Sequence, residues 1–419
     1  MLTGRTRIRY RQSLIALPAV YVASALALGV IAPELDAARS RGGADLGTAR
    51  DVLIATATGM IAFTGFVLAG LLVVVQFAAG QYSPRLVLWF RRDHLIKHSI
   101  GVFLAAFLYA LVALRRLDEP GSRVSPDVTV GIALALLVAS SVIFLALLQR
   151  VTDRLRPRTL FAAVSREAIR SARTAYPARL GEEIVPDAAT WRHREPQVVR
   201  HAGRPGVLAS VERAQLMLAA ERADAVIEVI PAVGEFIARD QVLLHIHGGS
   251  MSTETLADCV VIADERTIEQ DPAFAIRIIV DVAIRALSPA SNDPTTAVHA
   301  LDELEVLLRE LAARDLEATL TRDRAGTPRL VWNAPGWEDL LSLAFDEIRG
   351  YGGNSIQVCR RLLATLEDLL ETTAPSRRPG VEEHLARLQA QAIRAFPEGS
   401  PERALAQVPD RTGLGLSQR

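Results

Sequence analysis

Two histidines separated by one residue, His245 and His247, have a spacing that suggests metal chemistry. Alternate residues of a β-strand face the same side, so both imidazoles would lie on one face. Metal binding is conceivable, but the neighbouring sequence shows no Cys, Asp or Glu that would complete a coordination set. His94 and His98 could also bind metal or sense pH, although polar residues at a membrane interface are the simpler interpretation. We expect no metal site and no cofactor.

Motifs for common catalytic chemistry are missing from the sequence. It contains no phosphate-binding loop, dinucleotide fingerprint, nucleophile elbow or metalloprotease motif. Lys97 is the only lysine, which almost excludes Schiff-base chemistry and carrier chemistry. Cys259 and Cys359 lie far apart in amphipathic segments and are expected to be buried apolar residues. We therefore expect that the protein is not an enzyme. Its net charge of zero gives no indication of nucleic-acid binding.

A long segment without charged residues, Val52 to Ala79, carries a stripe of small and weakly polar side chains. As a helix it would be about 42 Å long, against about 30 Å for the apolar core of a bilayer. Positions three and four residues apart share one helix face. The stripe comprises Thr58, Ala62, Gly65, Ala69, Leu72, Gln76 and Gly80. Such a surface packs against another helix or lines a cavity.

Hydropathy predicts a membrane domain at residues 1–150 with four spans, at about 14–32, 52–79, 98–114 and 128–148. Basic residues cluster before the first span, between the second and third, and after the fourth. With four spans these clusters fall on one side, so both termini are predicted to be cytoplasmic. After the second span, an interfacial turn is predicted that consists of Gln81, Tyr82, Ser83, Pro84 and Arg85. It either anchors the chain at the lipid surface or starts a gating helix.

The remaining sequence predicts an α+β cytoplasmic region. Residues 151–205 are expected to form a juxtamembrane helix and a linker, and residues 206–250 a small β-rich unit. The segment from Val226 to Ile246 resembles the hairpin of biotinyl/lipoyl-type barrels but contains no lysine, so we interpret it as a structural barrel. A helical bundle is expected at 251–396 and a disordered tail at 397–419. The fold class is thus a mainly α integral membrane protein with an α+β cytoplasmic region.

Two helices of the predicted bundle begin with Asp-Pro, which places an N-cap before a proline at the first helical position. The first carries Arg277, Asp281 and Arg285 along one line. This line is either an intrahelical salt-bridge ladder or a contact for an anion or another subunit. The turn before the second helix contains Asn292, Asp293 and Thr295, which could hold an anion at the helix N-terminus. Leucines along the second helix suit a helical bundle or a contact between subunits.

Two long blocks of the sequence resemble one bacterial family. They run from Gly65 to Leu111 and from Arg266 to Leu304. Both are similar to signature blocks of a predicted membrane-protein family, domain-of-unknown-function family 2254. The resemblance covers about Leu14 to Phe396 and implies a multi-pass protein of the bacterial inner membrane with a cytoplasmic C-terminal region. It implies no activity.

Two functional hypotheses remain open, while a third, an enzyme that acts on a lipid or cell-envelope substrate, has no catalytic constellation in the sequence. In the first, the protein is a homo-oligomer in the lipid bilayer, and its second spans line an ion channel or another flux pathway. In the second, it is a membrane-anchored regulatory or scaffold protein, whose cytoplasmic region binds a partner or a small ligand. The striped helix favours the first slightly, although a pore lined by Thr, Ala, Gly and one Gln would be mostly hydrophobic.

Overall fold

The computed structural model describes residues 15–39, 45–81, 93–117, 126–154, 156–181, 195–316 and 320–415. The chain divides into two compact units, Met1–Arg156 and Pro157–Arg419. Each unit has buried apolar clusters of its own.

Among its described residues, the N-terminal unit consists of four helices. They are α1 (Ala16–Arg39), α2 (Leu46–Gln81), α3 (His94–Leu117) and α4 (Asp127–Arg154). All four are long and apolar enough to cross a membrane, which matches the four predicted spans. Each helix is longer than its predicted span, because charged and polar residues continue the helix beyond the apolar segment. The third has 24 residues, where the sequence predicted a span near the lower limit of length.

Helix α3 packs against each of the other three helices of this unit. Glycine permits close approach at one of these contacts, since a Cβ atom on Gly101 would lie 2.5 Å from the ring of Tyr21. A polar contact joins α3 to α4, where the buried hydroxyl of Tyr109 donates a hydrogen bond to the Thr129 carbonyl at 2.9 Å. The centre of the unit is therefore formed by the helix predicted to be the shortest span.

Asp36 connects the end of α1 to the start of α4. Its carboxylate accepts hydrogen bonds from the backbone N–H of Val128 at 2.8 Å, the N–H of Thr129 at 2.9 Å and the Thr129 hydroxyl at 2.7 Å. The first amides of a helix have no intrahelical partner, so this carboxylate serves as a cap supplied by another helix. The first span was predicted to end before Asp36, and sequence spacing gave no sign of this contact.

The C-terminal unit combines two sheets with a group of helices. Its helices are α5 (Pro157–Ala175), α6 (Arg213–Arg222), α7 (Thr253–Ala257), α8 (Pro272–Ala286), α9 (Pro294–Ala312), α10 (Trp337–Gly352), α11 (Ile356–Thr372), α12 (Arg378–Ala395) and α13 (Pro401–Ala406). Its strands are β1 (Gln197–Arg200), β2 (Gly206–Val211), β3 (Val226–Val229), β4 (Phe236–Ile237), β5 (Val242–His247), β6 (Val260–Ala263), β7 (Leu320–Arg322) and β8 (Pro328–Trp332).

The described strands form a five-stranded sheet in the order β1-β5-β3-β8-β7 and a three-stranded sheet in the order β4-β2-β6. They do not close into a barrel, so the barrel-like unit at 206–250 is not confirmed. Strands β6, β7 and β8 come from the interval predicted as a helical bundle, and β8 pairs with β3 in parallel. Alternating side chains identify single strands, but they do not reveal pairing between strands about a hundred residues apart.

Both Asp-Pro helices have the predicted caps. Asp271 accepts a hydrogen bond from the Phe274 N–H at 2.9 Å, and Asp293 accepts one from the Thr296 N–H at 3.1 Å. The leucines of α9 are fully buried within the unit, where α9 packs against α5, α8 and α11. Of the two interpretations of this leucine seam, the structure therefore supports the bundle.

Part of the predicted disordered tail is ordered, so that prediction was wrong for residues 397–415. The segment contains α13, followed by a C-terminal segment (residues 407–415) that packs against α11. The buried guanidinium of Arg360 donates hydrogen bonds to the carbonyls of Val408 at 3.0 Å and Gly415 at 2.8 Å. The carboxylate of Asp410 accepts N–H groups of its own turn, including that of Gly415 at 2.6 Å. The polar composition of this segment predicted disorder. The contacts that order it come from a distant helix, which local composition does not reveal.

Candidate functional site

The predicted stripe on α2 lies on the face that the N-terminal unit leaves exposed. Its members Thr58, Ala62, Gly65, Ala69, Leu72, Gln76 and Gly80 are all exposed. The opposite face, which contains Leu53, Met60 and Val67, is buried where α2 packs against α3 and α4. Successive residues of a helix are rotated by about 100°, which places the stripe about half a turn from the buried face. The stripe is therefore not part of the packing among the residues that the structure describes.

Glycines of the stripe have open space in front of them. A Cβ atom added to Gly65 or Gly80 would meet no atom of the described residues within 4 Å. Large exposed side chains flank the stripe, including Ile61 on one side and Phe66 and Val73 on the other. The result is a shallow groove between two apolar ridges, interrupted by the exposed Leu72, and small residues on either side of it let a second helix approach closely.

The predicted interfacial turn lies almost entirely outside the described residues. Gln81 is the last residue of α2, and its side chain is outside the described part of the chain. Tyr82, Ser83, Pro84 and Arg85 also lie outside the described residues. The gating and anchoring interpretations of this turn both remain predictions.

The histidine pair of α3 does not form one site. His98 shares a hydrogen bond with the hydroxyl of Tyr21 through Nδ1 at 2.8 Å. His94 instead lines an open cleft of about 520 Å³ between the start of α3 and the end of α4. At this cleft the Asp93 carboxylate accepts hydrogen bonds from the Leu95 N–H at 2.9 Å and the Arg150 Nε at 3.2 Å. Charged and polar side chains line this cleft beside His94, and the interfacial role of the two histidines stays a prediction.

The three charged residues along α8 have different environments: Arg277 and Asp281 form an ion-pair network, whereas Arg285 is exposed. Arg277 donates hydrogen bonds to Asp281 at 2.6 Å and to Glu347 of α10 at 2.9 Å. Hydrogen bonding to Glu347, and then to Asp281, raises the pKa of Arg277 above its ordinary value, and Arg277 lowers the pKa of Glu347. Arg285, which lies one turn after Asp281, is exposed. Two carboxylates already engage Arg277, which favours a structural ion-pair network over an anion site there.

The turn before α9 serves as a helix cap. Asn292 has a positive φ of 45°, which turns the chain into the helix. The Asp293 carboxylate accepts hydrogen bonds from both the N–H and the hydroxyl of Thr296. Thr295 is exposed beside them. The Asp293 carboxylate already accepts the hydrogen bond of the amide that an anion would need. This geometry therefore does not support the predicted anion site.

A cluster that sequence reasoning missed consists of Glu228, His245 and His247. Antiparallel pairing of β3 with β5 places Glu228 directly opposite His245. The Glu228 Oε2 atom lies 3.4 Å from His247 Nε2 and 4.0 Å from His245 Nδ1. The expectation that no carboxylate lies near these histidines was therefore wrong. The only signal in the sequence was a polar residue inside each of two alternating apolar segments.

Comparison with known proteins gives a family and no activity. The family described as "Predicted membrane protein (DUF2254)" matches residues 11–368. The chain is 28% identical over 367 residues to uncharacterized protein Mb1321c of Mycobacterium bovis, which covers 84% of this chain and 70% of that protein. Uncharacterized protein Rv1290c of Mycobacterium tuberculosis shows the same identity and coverage. No solved structure matches the chain. Since the family match extends over most of its length, this protein belongs to the DUF2254 family of predicted membrane proteins.

Proposed function

We propose that the protein is a homo-oligomer of the bacterial inner membrane in which α2 helices from several subunits surround a flux pathway. One observation carries the proposal: the stripe of small residues on α2 lies on the exposed face of its unit. Within a membrane, helices associate through small residues that let their backbones approach closely. A second copy of the chain supplies a helix of matching length and shape for this groove.

The length of α2 is consistent with a tilted arrangement. Its 36 residues give a helix of about 54 Å, well beyond the apolar thickness of about 30 Å. Tilting accommodates such a mismatch and lets neighbouring helices cross. Thr58 and Gln76 lie about 27 Å apart along the helix axis. They would therefore lie near opposite boundaries of the apolar layer, with the small residues between them.

A pathway lined in this way is narrow and apolar in its middle. Water would leave such a constriction readily, so opening would depend on widening of the helix assembly. The distribution of arginine places the C-terminal unit in the cytoplasm in this proposal. The proposed function includes no catalytic step.

A second candidate function is a membrane-anchored regulatory protein whose cytoplasmic region binds a small ligand. The cluster of Glu228, His245 and His247 favours it, because three potential ligand atoms meet on one sheet. In that case the α2 groove would serve only for helix packing.

Flux through purified protein in liposomes tests the proposed pathway. The variants are Gln76→Leu, which removes the polar group at one end, and Gly65→Leu, which fills the groove. Gly70→Leu is the matched control, because Gly70 is also exposed with open space but lies about 140° around the helix from Gly65. Subunit number is measured for each variant by light scattering in detergent.

We expect Gly65→Leu to reduce both assembly and flux, and Gln76→Leu to alter flux in intact oligomers, with Gly70→Leu close to wild type. Intramembrane hydrogen bonds contribute only about 0.6 kcal/mol on average, so loss of Gln76 alone should leave assembly intact. A monomer in detergent and in bilayers, or equal effects of Gly65→Leu and Gly70→Leu, would contradict assembly through the stripe. An oligomer without flux under steps of voltage, tension and pH would favour the regulatory function.

A further inference from the structure

We propose that Glu228, His245 and His247 bind a first-row divalent cation, with Zn²⁺ as the probe that defines the site. The proposal goes beyond the flux pathway and does not depend on it. It rests on the position of three ligand atoms on adjacent strands of the five-stranded sheet. These atoms all lie within 4.8 Å of one another.

One pair of ligand atoms is already at coordination distance, and the third atom, within 4.8 Å of both, would approach them through side-chain rotation. Zn²⁺ binds nitrogen and oxygen ligands at about 2.0–2.2 Å. In a tetrahedral set, two ligand atoms at such distances are about 3.4 Å apart. Glu228 Oε2 and His247 Nε2 are already 3.4 Å apart. The 4.0 Å between Glu228 Oε2 and His245 Nδ1 would close through a small rotation of a side chain.

The sheet holds these side chains in place from its other face. Ile227, Leu244 and Ile246 alternate with the three ligands along the strands and belong to the buried core of the unit. Paired strands with a packed reverse face restrict the backbone at the ligand positions. Ligands on such elements are more precisely placed than ligands on loops.

Two side chains of the cluster are buried, and the third is partly exposed to solvent. Glu228 is 9% exposed and His247 is 5% exposed, whereas the side chain of His245 is 30% exposed. Access past His245 gives the cation an entry path and leaves room for water.

The donor set selects the class of cation. Two imidazole nitrogens and one carboxylate oxygen are ligands of Zn²⁺ and of Fe²⁺ in proteins. Ca²⁺ and Mg²⁺ require mainly oxygen ligands, so neither is expected to bind. Three protein ligands leave at least one position for an exchangeable ligand.

One feature of His247 limits the expected affinity. Its Nδ1 atom is buried and has no hydrogen-bond partner among the described residues. Histidines that bind metal usually donate their second N–H to an acceptor, and loss of that acceptor weakens binding by about 10–100-fold. We therefore expect exchangeable binding, weaker than at closed structural zinc sites.

The test is metal binding by the full-length protein in detergent, purified with a tag that contains no histidine. Zn²⁺ is added by equilibrium dialysis and counted by mass spectrometry, and Co²⁺ is used to record the visible absorption of the bound ion. The variants Glu228→Gln and His245→Ala each remove one ligand. His299→Ala is the control, because it removes a partly buried imidazole from α9.

We expect one Zn²⁺ per wild-type chain, the same for His299→Ala, and at least tenfold weaker binding for Glu228→Gln and His245→Ala. The Co²⁺ spectrum should change in both ligand variants. Urea unfolding without metal shows whether these variants keep the wild-type fold, and Glu228→Gln keeps the shape of the side chain. A wild-type protein that binds no Zn²⁺, or binding that persists in both folded ligand variants, would overturn the site. Neither outcome would affect the flux measurement.

Discussion

Replacing Asp271 with asparagine is expected to stabilise the protein above pH 6. Asp271 caps helix α8, where its carboxylate accepts a hydrogen bond from the Phe274 N–H at 2.9 Å. The residue is 5% exposed. Burial raises the pKa of this carboxyl from 3.8 to about 6, although the Phe274 and Ala273 amides and Arg266 act in the opposite direction. Above about pH 6 the folded protein therefore contains a buried carboxylate charge that lowers its stability.

The sign of the effect follows from the two protonation states. Because the pKa is raised in the folded protein, the protonated carboxyl favours folding below about pH 4, the range of the unfolded chain. This contribution is lost as the pH rises through about 6. The difference between pKa values of 3.8 and about 6 corresponds to about 3 kcal/mol of unfolding free energy in total, of which about 2.4 kcal/mol falls between pH 4 and pH 7.

Asparagine keeps an oxygen that accepts the Phe274 N–H and carries no charge. Asn and Asp are equally good N-caps in general. Asp271→Asn should therefore raise the unfolding free energy by about 1–3 kcal/mol at pH 8 and have little effect at pH 4. Urea unfolding of the full-length protein in detergent, followed by tryptophan fluorescence, measures both values.

Asp293→Asn provides the matched control for this measurement. It replaces the cap of α9 in the same Asp-Pro context, but Asp293 is exposed. It therefore shows the effect of the same exchange of side chains at a cap that is not buried. If Asp271→Asn were less stable than wild type at pH 8, or showed the same pH dependence as Asp293→Asn, the argument from burial would be wrong.

Three further predictions concern buried contacts. Arg361→Leu removes one of two arginine partners of the largely buried Glu305, which keeps Arg309 at 2.7 Å, and should cost about 1–3 kcal/mol in urea unfolding, with part of the loss recovered when Glu305→Leu is added. Arg360→Ala removes hydrogen bonds to the C-terminal segment, so limited proteolysis should cleave that segment faster than in wild type. Gly101→Leu forces a side chain into a tyrosine ring and should lower the melting temperature by several degrees, whereas Gly131→Leu, with open space, should not.

Local patterns predicted the parts of the fold that depend on neighbouring residues. Continuous apolar segments predicted four spans. In lipid, a single segment can satisfy its own backbone amides and carbonyls only as a helix. The Asp-Pro pairs predicted two capped helix starts, and both caps are present at Asp271 and Asp293. Each of these features is determined within a few residues of sequence.

Contacts between distant segments escaped the same reasoning. Asp36 caps a helix 92 residues away, and Arg360 holds a terminal segment that looked disordered by composition. Glu228 meets its histidines only through the register of β3 on β5. A shift of one residue in that register would turn Glu228 to the opposite face. The cluster therefore could not be identified before the pairing of the strands was known.

The two proposed properties become linked only if the cation distinguishes conformations of the assembly. Zn²⁺ can change flux only by binding more tightly to one of the open and closed states, and that state must then bind Zn²⁺ more tightly in return. A Zn²⁺ effect on flux that Glu228→Gln abolishes, while flux without metal stays unchanged, would establish this coupling. A Zn²⁺ effect that survives Glu228→Gln would arise elsewhere in the chain. Zinc binding without any effect on flux would leave the site as a separate function of the C-terminal unit.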